Sequence, residues 1–80
     1  MKVGVYSLKS ALFDGEAISV NCKTANGEIT VLNHHRPLVT LLEKGTITII
    51  DNQNKEHFIP VSSGFLEITA ENKVKLIIEE

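Results

Sequence analysis

Apolar and polar residues alternate with a period of two in several short segments of this 80-residue chain. Val3 and Val5 share one face of a first predicted strand, and Ile18, Val20 and Cys22 share one face of the next. Such alternation is typical of a strand that buries one of its two faces. No stretch sustains the i, i+3, i+4, i+7 spacing of an amphipathic helix. The pattern therefore predicts a chain built of strands around a core.

Turn-forming residues separate the alternating segments. Asn26-Gly27 is the strongest hairpin signal, because both residues tolerate positive φ. Pro37 ends the strand that returns from this hairpin, and Pro60, which lacks a backbone donor, favours an edge position for its strand. Further strands are predicted where β-branched and apolar residues recur, at 29–31, 38–42, 46–49, 56–61, 65–68 and 74–78. We therefore predict an all-β fold over residues 1–80, a small two-sheet β-sandwich or flattened barrel of eight to ten short strands.

Composition supports strands and excludes several classes of function. Valine, isoleucine and threonine make up 22 of the 80 residues, whereas alanine makes up four. Eight basic residues against ten acidic ones give no positive excess for binding nucleic acid. The single cysteine excludes an internal disulfide, and no apolar run approaches the roughly 20 residues of a membrane-spanning helix. These features lead us to expect a small, slightly acidic cytosolic domain that reaches a membrane only through partners.

Several short segments also match a known family in their order and approximate spacing. They are Leu12-Phe13-Asp14-Gly15-Glu16, Gly27-Glu28-Ile29-Thr30-Val31-Leu32, His35-Arg36-Pro37-Leu38-Val39-Thr40, Lys44-Gly45, Ser62-Ser63-Gly64-Phe65-Leu66-Glu67 and Asn72-Lys73-Val74. Each is weak alone, but together they cover essentially the whole chain. In this combination the chain resembles the N-terminal β-sandwich domain of the epsilon subunit of F-type ATP synthase, which is called delta in mitochondria.

The resemblance implies a non-catalytic rotor subunit at the foot of the central stalk of a proton- or sodium-translocating ATP synthase. Such a subunit couples rotation of the membrane-embedded c-ring to the gamma subunit, on the cytoplasmic face of the energy-coupling membrane. Catalysis then belongs to other subunits. The positions that match partner-facing segments of the family are Asn26, Gly27 and Glu28 on the c-ring side, and His35, Pro37 and Thr40 on the gamma side.

Two departures from the family pattern carry expectations of their own. The family often has Pro-Gly where this chain has Asn33-His34, and we expect Asn33 to adopt the left-handed turn conformation there. The chain stops at Glu80, whereas many family members continue into a C-terminal helical hairpin with an inhibitory role and, in some, a nucleotide site. We therefore expect the hairpin to be absent, with no bound nucleotide or other cofactor.

The residues allow other interpretations of the same positions. Glu28 is equally interpretable as an ordinary solvated turn residue. His34, His35 and His57 suggest a metal site, but adjacent strand residues point to opposite faces, and no cysteine or paired carboxylate completes a ligand set. A free-standing β-sandwich interaction module, unrelated to ATP synthesis, is the alternative function, and a small enzyme or metal protein is a third hypothesis.

The remaining candidate groups are interpreted as structural. Cys22 alternates with apolar residues, which favours a small core side chain over a nucleophile. The segment 62–64 lacks the surroundings of a nucleophilic serine and favours a tight corner between strands. Phe13 and Phe65 are predicted to be core aromatics. Core is also the default prediction for the apolar residues of 38–42, with an exposed partner patch as the alternative.

Overall fold

Eight β-strands and no helix make up the protein in a computed structural model that describes residues 1–80. The strands are β1 (Lys2–Tyr6), β2 (Ala11–Thr24), β3 (Gly27–Leu32), β4 (Leu38–Leu42), β5 (Gly45–Asp51), β6 (Glu56–Val61), β7 (Ser63–Ile68) and β8 (Lys73–Glu79). Only β1 and β8 pair in parallel, and all the other pairs are antiparallel. The predicted all-β sandwich is confirmed.

The long strand β2 belongs to both layers of the sandwich. Its first half pairs with β1, and its second half pairs with β3 on one side and β5 on the other. The first sheet therefore has the order β2-β1-β8-β7-β4, and the second sheet has the order β3-β2-β5-β6. A single pair, Thr24 with Leu42, joins β2 to β4 and connects the two sheets at this end, which gives the sandwich the character of a flattened barrel. β6 lies at an edge, as Pro60 predicted.

The core lies between the two sheets and contains seventeen buried hydrophobic residues. Its largest fully buried side chains come from both layers, namely Val3, Val5, Leu66 and Leu76 from the first sheet and Val20, Val31, Ile47 and Ile49 from the second. Removing one such side chain from water contributes roughly 1.5–3 kcal/mol before the entropy cost of ordering it. The predicted inward faces of β1 and of the second half of β2 are confirmed at Val3, Val5, Val20 and Cys22.

One predicted core residue of β2 points the other way. The pairing of β2 with β5 shifts register between Ala17 and Ser19, so the strand carries a bulge at Ile18. Ala17 is fully buried, whereas Ile18 is exposed. The prediction that Ile18 shares the inward face of Val20 and Cys22 is therefore wrong, because the extra residue reverses the alternation at this point.

Aromatic and apolar residues of the first sheet divide between its two faces. Phe13 packs against the core, as predicted, but Phe65 retains 41% of its exposure, so its predicted core position is wrong. Along β4, Leu42 is buried, whereas Val39 and Leu41 are exposed. The default prediction of core is thus confirmed at Leu42 and wrong at Val39 and Leu41, which the two-residue period of the strand turns outward.

Candidate partner-binding surfaces

The hairpin between β2 and β3 is built around a buried threonine. The Thr24 hydroxyl donates to the Gly27 carbonyl at 2.8 Å and accepts from the Asn26 amide at 3.1 Å. Gly27 has a φ of 109°, a backbone conformation that favours glycine. The predicted hairpin is confirmed, although Gly27 alone supplies the positive φ and Asn26 does not. These bonds fix the direction in which the following residue, Glu28, leaves the turn.

Charged side chains without ion-pair partners surround this hairpin tip. Lys23, Glu28, Glu43 and Lys44 are exposed and line one shallow groove. Lys23 and Glu28 lie opposite each other in the register of β2 and β3, but neither side chain belongs to any of the three ion pairs of the structure. The tip therefore presents two carboxylates and two ammonium groups that are free to meet charged or amide groups of another protein.

The loop of residues 33–37 lies at the opposite end of β3, about 20 Å from the hairpin tip by the rise of an extended strand. His34, with a φ of 62°, is its left-handed residue, so the expectation that Asn33 takes this conformation is wrong. The His35 amide donates to the Leu32 carbonyl at 3.2 Å, and the His35 Nδ1 lies 2.8 Å from the Arg36 carbonyl. The loop thus turns tightly into β4.

The three residues matched to the gamma side differ in accessibility. Pro37 is exposed and His35 is half-buried. Thr40 pairs with the fully buried Leu66, which places it on the inward-facing side of β4, and it is half-buried. The exposed side chains that follow Pro37 along β4 are Val39 and Leu41. Their two-residue spacing in the sequence already indicates that they share one face of the strand.

A row of apolar side chains crosses the outer face of the first sheet. The strand register joins Leu41 to Phe65, Phe65 to Ile77 and Ile77 to Tyr6, and we call these four residues the outer apolar row. Leu8, 96% exposed, shares a groove with Tyr6, Phe65 and Ile77 at one end of the row. Leu41 and Phe65 are exposed, and Tyr6 and Ile77 are half-buried. Contiguous apolar surface of this kind is typical of a protein-binding site.

The outer face of the second sheet is polar at the corresponding row. There the register joins Phe58 to Thr48, Thr48 to Asn21 and Asn21 to Thr30. The Asn21 amide donates to the Thr30 hydroxyl at 2.9 Å, so these polar groups satisfy one another. The apolar row of the first sheet therefore has no counterpart in this row of the second sheet, in which Phe58 is the one apolar residue.

A model of the family described as ATP synthase, Delta/Epsilon chain, beta-sandwich domain matches residues 1–80. The chain belongs to this family. The ATP synthase epsilon chain of Acinetobacter baumannii (strain SDF) is 38% identical over 68 residues, which cover 85% of this chain and 49% of the relative. That of Dichelobacter nodosus is 30% identical over 78 residues, or 98% of this chain and 54% of the relative. The chain spans about half the length of these curated relatives.

Two solved structures share the fold of this delta/epsilon-family domain. A cryo-EM structure of Euglena gracilis mitochondrial ATP synthase, comprising OSCP, F1 and the c-ring, contains a chain with a TM-score of 0.89 and 20% identity, covering 98% of this chain and 49% of that one. A cryo-EM structure of the central stalk and c-ring of Tetrahymena thermophila mitochondrial ATP synthase contains a chain with a TM-score of 0.82 and 16% identity. The match covers 100% of this chain and 63% of that one. At these identities the similarity establishes the fold.

In this member of the delta/epsilon family, the remaining candidate groups are structural. Burial raises the pKa of the Cys22 thiol to about 11, which keeps it protonated and unreactive near neutral pH. No three histidine, cysteine, aspartate or glutamate side chains are grouped so that they could hold a metal ion. No helix in the structure is able to span a membrane.

The third histidine of this delta/epsilon-family domain binds a carboxylate between the two sheets. Asp51 Oδ2 lies 2.8 Å from His57 Nε2, and Asp51 Oδ1 accepts from the backbone amides of Gln53 and Lys55, both at 2.9 Å. The His57 ring meets Phe13 edge-on, with ring centroids 4.9 Å apart. The Asp51–His57 pair thus fastens the β5–β6 hairpin to the first half of β2.

These contacts predict a specific acid sensitivity. The His57 hydrogen bond, followed by that of the Lys55 amide, lowers the pKa of Asp51 below its ordinary value. The native state therefore binds this proton less readily than the unfolded state, and stability falls as pH drops below the ordinary carboxyl pKa, about 4, and through the folded value. In thermal unfolding between about pH 6 and about pH 2, we expect Asp51→Asn to lose less stability than the wild type. Parallel losses in both proteins would contradict this assignment.

Proposed function

We propose that the protein is a non-catalytic rotor subunit of an F-type ATP synthase that translocates protons or sodium ions, in which it couples rotation of the c-ring to the gamma subunit. The outer apolar row is the observation that carries the proposal, because it gives the family fold a surface for a large partner. Family membership favours this role over that of a free-standing interaction module. The whole complex, rather than this domain, carries the catalytic chemistry in this proposal.

A mechanical role fits the construction of the domain. The chain has 48 backbone–backbone hydrogen bonds, 38 of them within its strands. Its two packed sheets form a stiff body, since close-packed interiors have low compressibility and transmit strain. A coupling element needs such a body and two separate contact regions, and it needs no reactive side chain. The hairpin tip and the 33–37 loop lie at opposite ends of β3 and satisfy that requirement.

On the c-ring side, we propose that Asn26, Gly27 and Glu28 contact the polar loops of the ring. The free charges of the hairpin tip support this, because rim charges set orientation and association rate more than affinity. The domain then sits at the cytoplasmic face of the energy-coupling membrane and contacts it only through the complex.

On the gamma side, we propose a surface that begins at His35 and Pro37 and continues through Val39 to the outer apolar row. Thr40 is included because it matches the family. Because it faces inward, its role in this proposal is to support the exposed residues on either side of it, Val39 and Leu41. An apolar centre with a polar rim is the usual composition of a lasting protein interface. No nucleotide or nucleic acid is needed for either contact.

A binding assay with a gamma–c-ring subcomplex tests the proposal. The wild-type chain is expected to bind, and Glu28→Arg is expected to weaken binding about tenfold, because it reverses the charge at the hairpin tip. Glu56→Arg makes the same change at an exposed position on β6 and serves as the control, with an expected change within about twofold. Absence of wild-type binding would overturn the rotor function. Equal effects of the two variants would overturn the role of Glu28.

A further inference from the structure

Asn72, in the turn between β7 and β8, is bonded to the 33–37 loop across a separation of 38 and 39 residues in the chain. Its Oδ1 accepts from the His34 amide at 2.7 Å, and its Nδ2 donates to Asn33 Oδ1 at 3.1 Å. We infer that Asn72 is a positioning residue, which holds this loop in the conformation that presents His35 and Pro37 to the gamma subunit. This inference rests on the proposed function.

The hydrogen bonds within the loop are local, so its position depends on the bonds that reach distant parts of the chain. Within the loop, the contacts of His35 reach only Leu32 and Arg36. Every hydrogen bond that ties the loop to a distant part of the chain runs through Asn72 or Asn33, including the 2.7 Å bond that the Met1 nitrogen donates to Asn33 Oδ1.

The conformation that Asn72 holds is one that the loop would not keep by itself. His34 is left-handed, with a φ of 62°, and side chains other than glycine disfavour this region. A hydrogen bond to the backbone amide of that same residue opposes its return to the extended region. Asn72 therefore acts at the one left-handed residue of the loop.

Asn72 is itself held rigidly enough to serve as an anchor. It has a left-handed φ of 62°, which asparagine tolerates better than most residues, and its carbonyl accepts from the Lys2 amide at 3.2 Å. The turn joins β7 to β8, and Ile68 at the end of β7 pairs with Leu38 at the start of β4. Asn72 and the end of the loop thus lie at the same end of the strands of the first sheet.

The test compares two asparagines that share a backbone conformation. Asn72→Gly removes the side chain and keeps the left-handed turn favourable. Asn54→Gly makes the same change at a φ of 67°, at an exposed turn where the side chain forms no hydrogen bond in the structure. Two quantities are measured on the full chain: the exchange rate of the His34 amide hydrogen, and the dissociation constant for the purified gamma subunit.

In Asn72→Gly we expect His34 exchange to accelerate and the dissociation constant to rise, each by about fivefold to tenfold, while Asn54→Gly stays within about twofold of wild type. Asn72→Asp keeps an oxygen that accepts from the His34 amide, so it should recover most of the exchange protection. If the wild type binds gamma and Asn72→Gly matches it in both measurements, the inference is overturned alone. A wild-type chain that does not bind gamma overturns the proposed function and this inference with it.

Discussion

Replacing Gly64 with alanine is expected to lower the free energy of unfolding by about 3 kcal/mol. At this point β7 approaches β8 too closely for any side chain. A Cβ on Gly64 would collide with the carbonyl oxygen of Ile77 and lie 2.9 Å from the Cα of Ile78. Both atoms belong to the backbone of a paired strand, so neither is able to move aside as a flexible side chain would.

Urea denaturation, followed by the β-sheet circular dichroism signal, measures this effect. Gly15→Ala is the matched control, because a Cβ at Gly15 would meet only the Phe13 ring, at an ordinary contact distance of 3.9 Å. Its expected cost is below about 1 kcal/mol. Similar midpoints for the two variants would show that β7 and β8 separate easily at Gly64.

The position of Gly64 also bears on the partner surface. Gly64 pairs with Ile78 and Leu42, and the next residue, Phe65, pairs with Ile77 and Leu41. The close approach at Gly64 therefore lies directly beside the outer apolar row. A change that separates these strands is expected to disturb the outer apolar row as well as the core.

Period-two alternation was sufficient to predict the class of fold but not each inward face. Val3 and Val5 follow the alternation because the register of β1 with β2 is constant from Lys2 to Val5, and Val20 follows it because it lies beyond the bulge of β2. Ile18 was misplaced because Ala17 and Ile18 are both apolar, so the sequence contains no mark of where the bulge falls. The bulge follows from the switch of β2 between two partners, which is a tertiary feature.

Of the two candidate surfaces, the sequence predicts the one whose residues are adjacent in the chain and not the one whose residues come from different strands. The hairpin tip at Glu28 was predictable, because the turn residues and the charge are adjacent in the chain. The outer apolar row was not, since Leu41, Phe65 and Ile77 meet only through the register of three strands. An outward apolar residue also looks the same as an inward one in a sequence, and for this reason Phe65 was assigned to the core.

Phe65→Asp is expected to weaken the proposed binding of this domain to the gamma subunit about 100-fold. Phe65 lies in the middle of the outer apolar row, with Leu41 on one side and Ile77 on the other. Burial of an unpaired carboxylate under a partner costs far more than the loss of the aromatic contact alone. Because 41% of the side chain is already exposed, the free domain should remain folded, with a stability loss of about 1 kcal/mol.

Phe58→Asp provides the control, since it makes the same replacement on the outer face of the second sheet. Phe58 is 63% exposed, and its register neighbours across the sheet, Thr48 and then Asn21, are polar, so no apolar row crosses the second sheet from it. Titration calorimetry with purified gamma should give an affinity for Phe58→Asp within about twofold of wild type. If Phe65→Asp also stays within about twofold of wild type, gamma does not contact the outer apolar row. The row would then be no more than exposed hydrophobic surface, and the gamma contact would have to lie elsewhere on the sandwich.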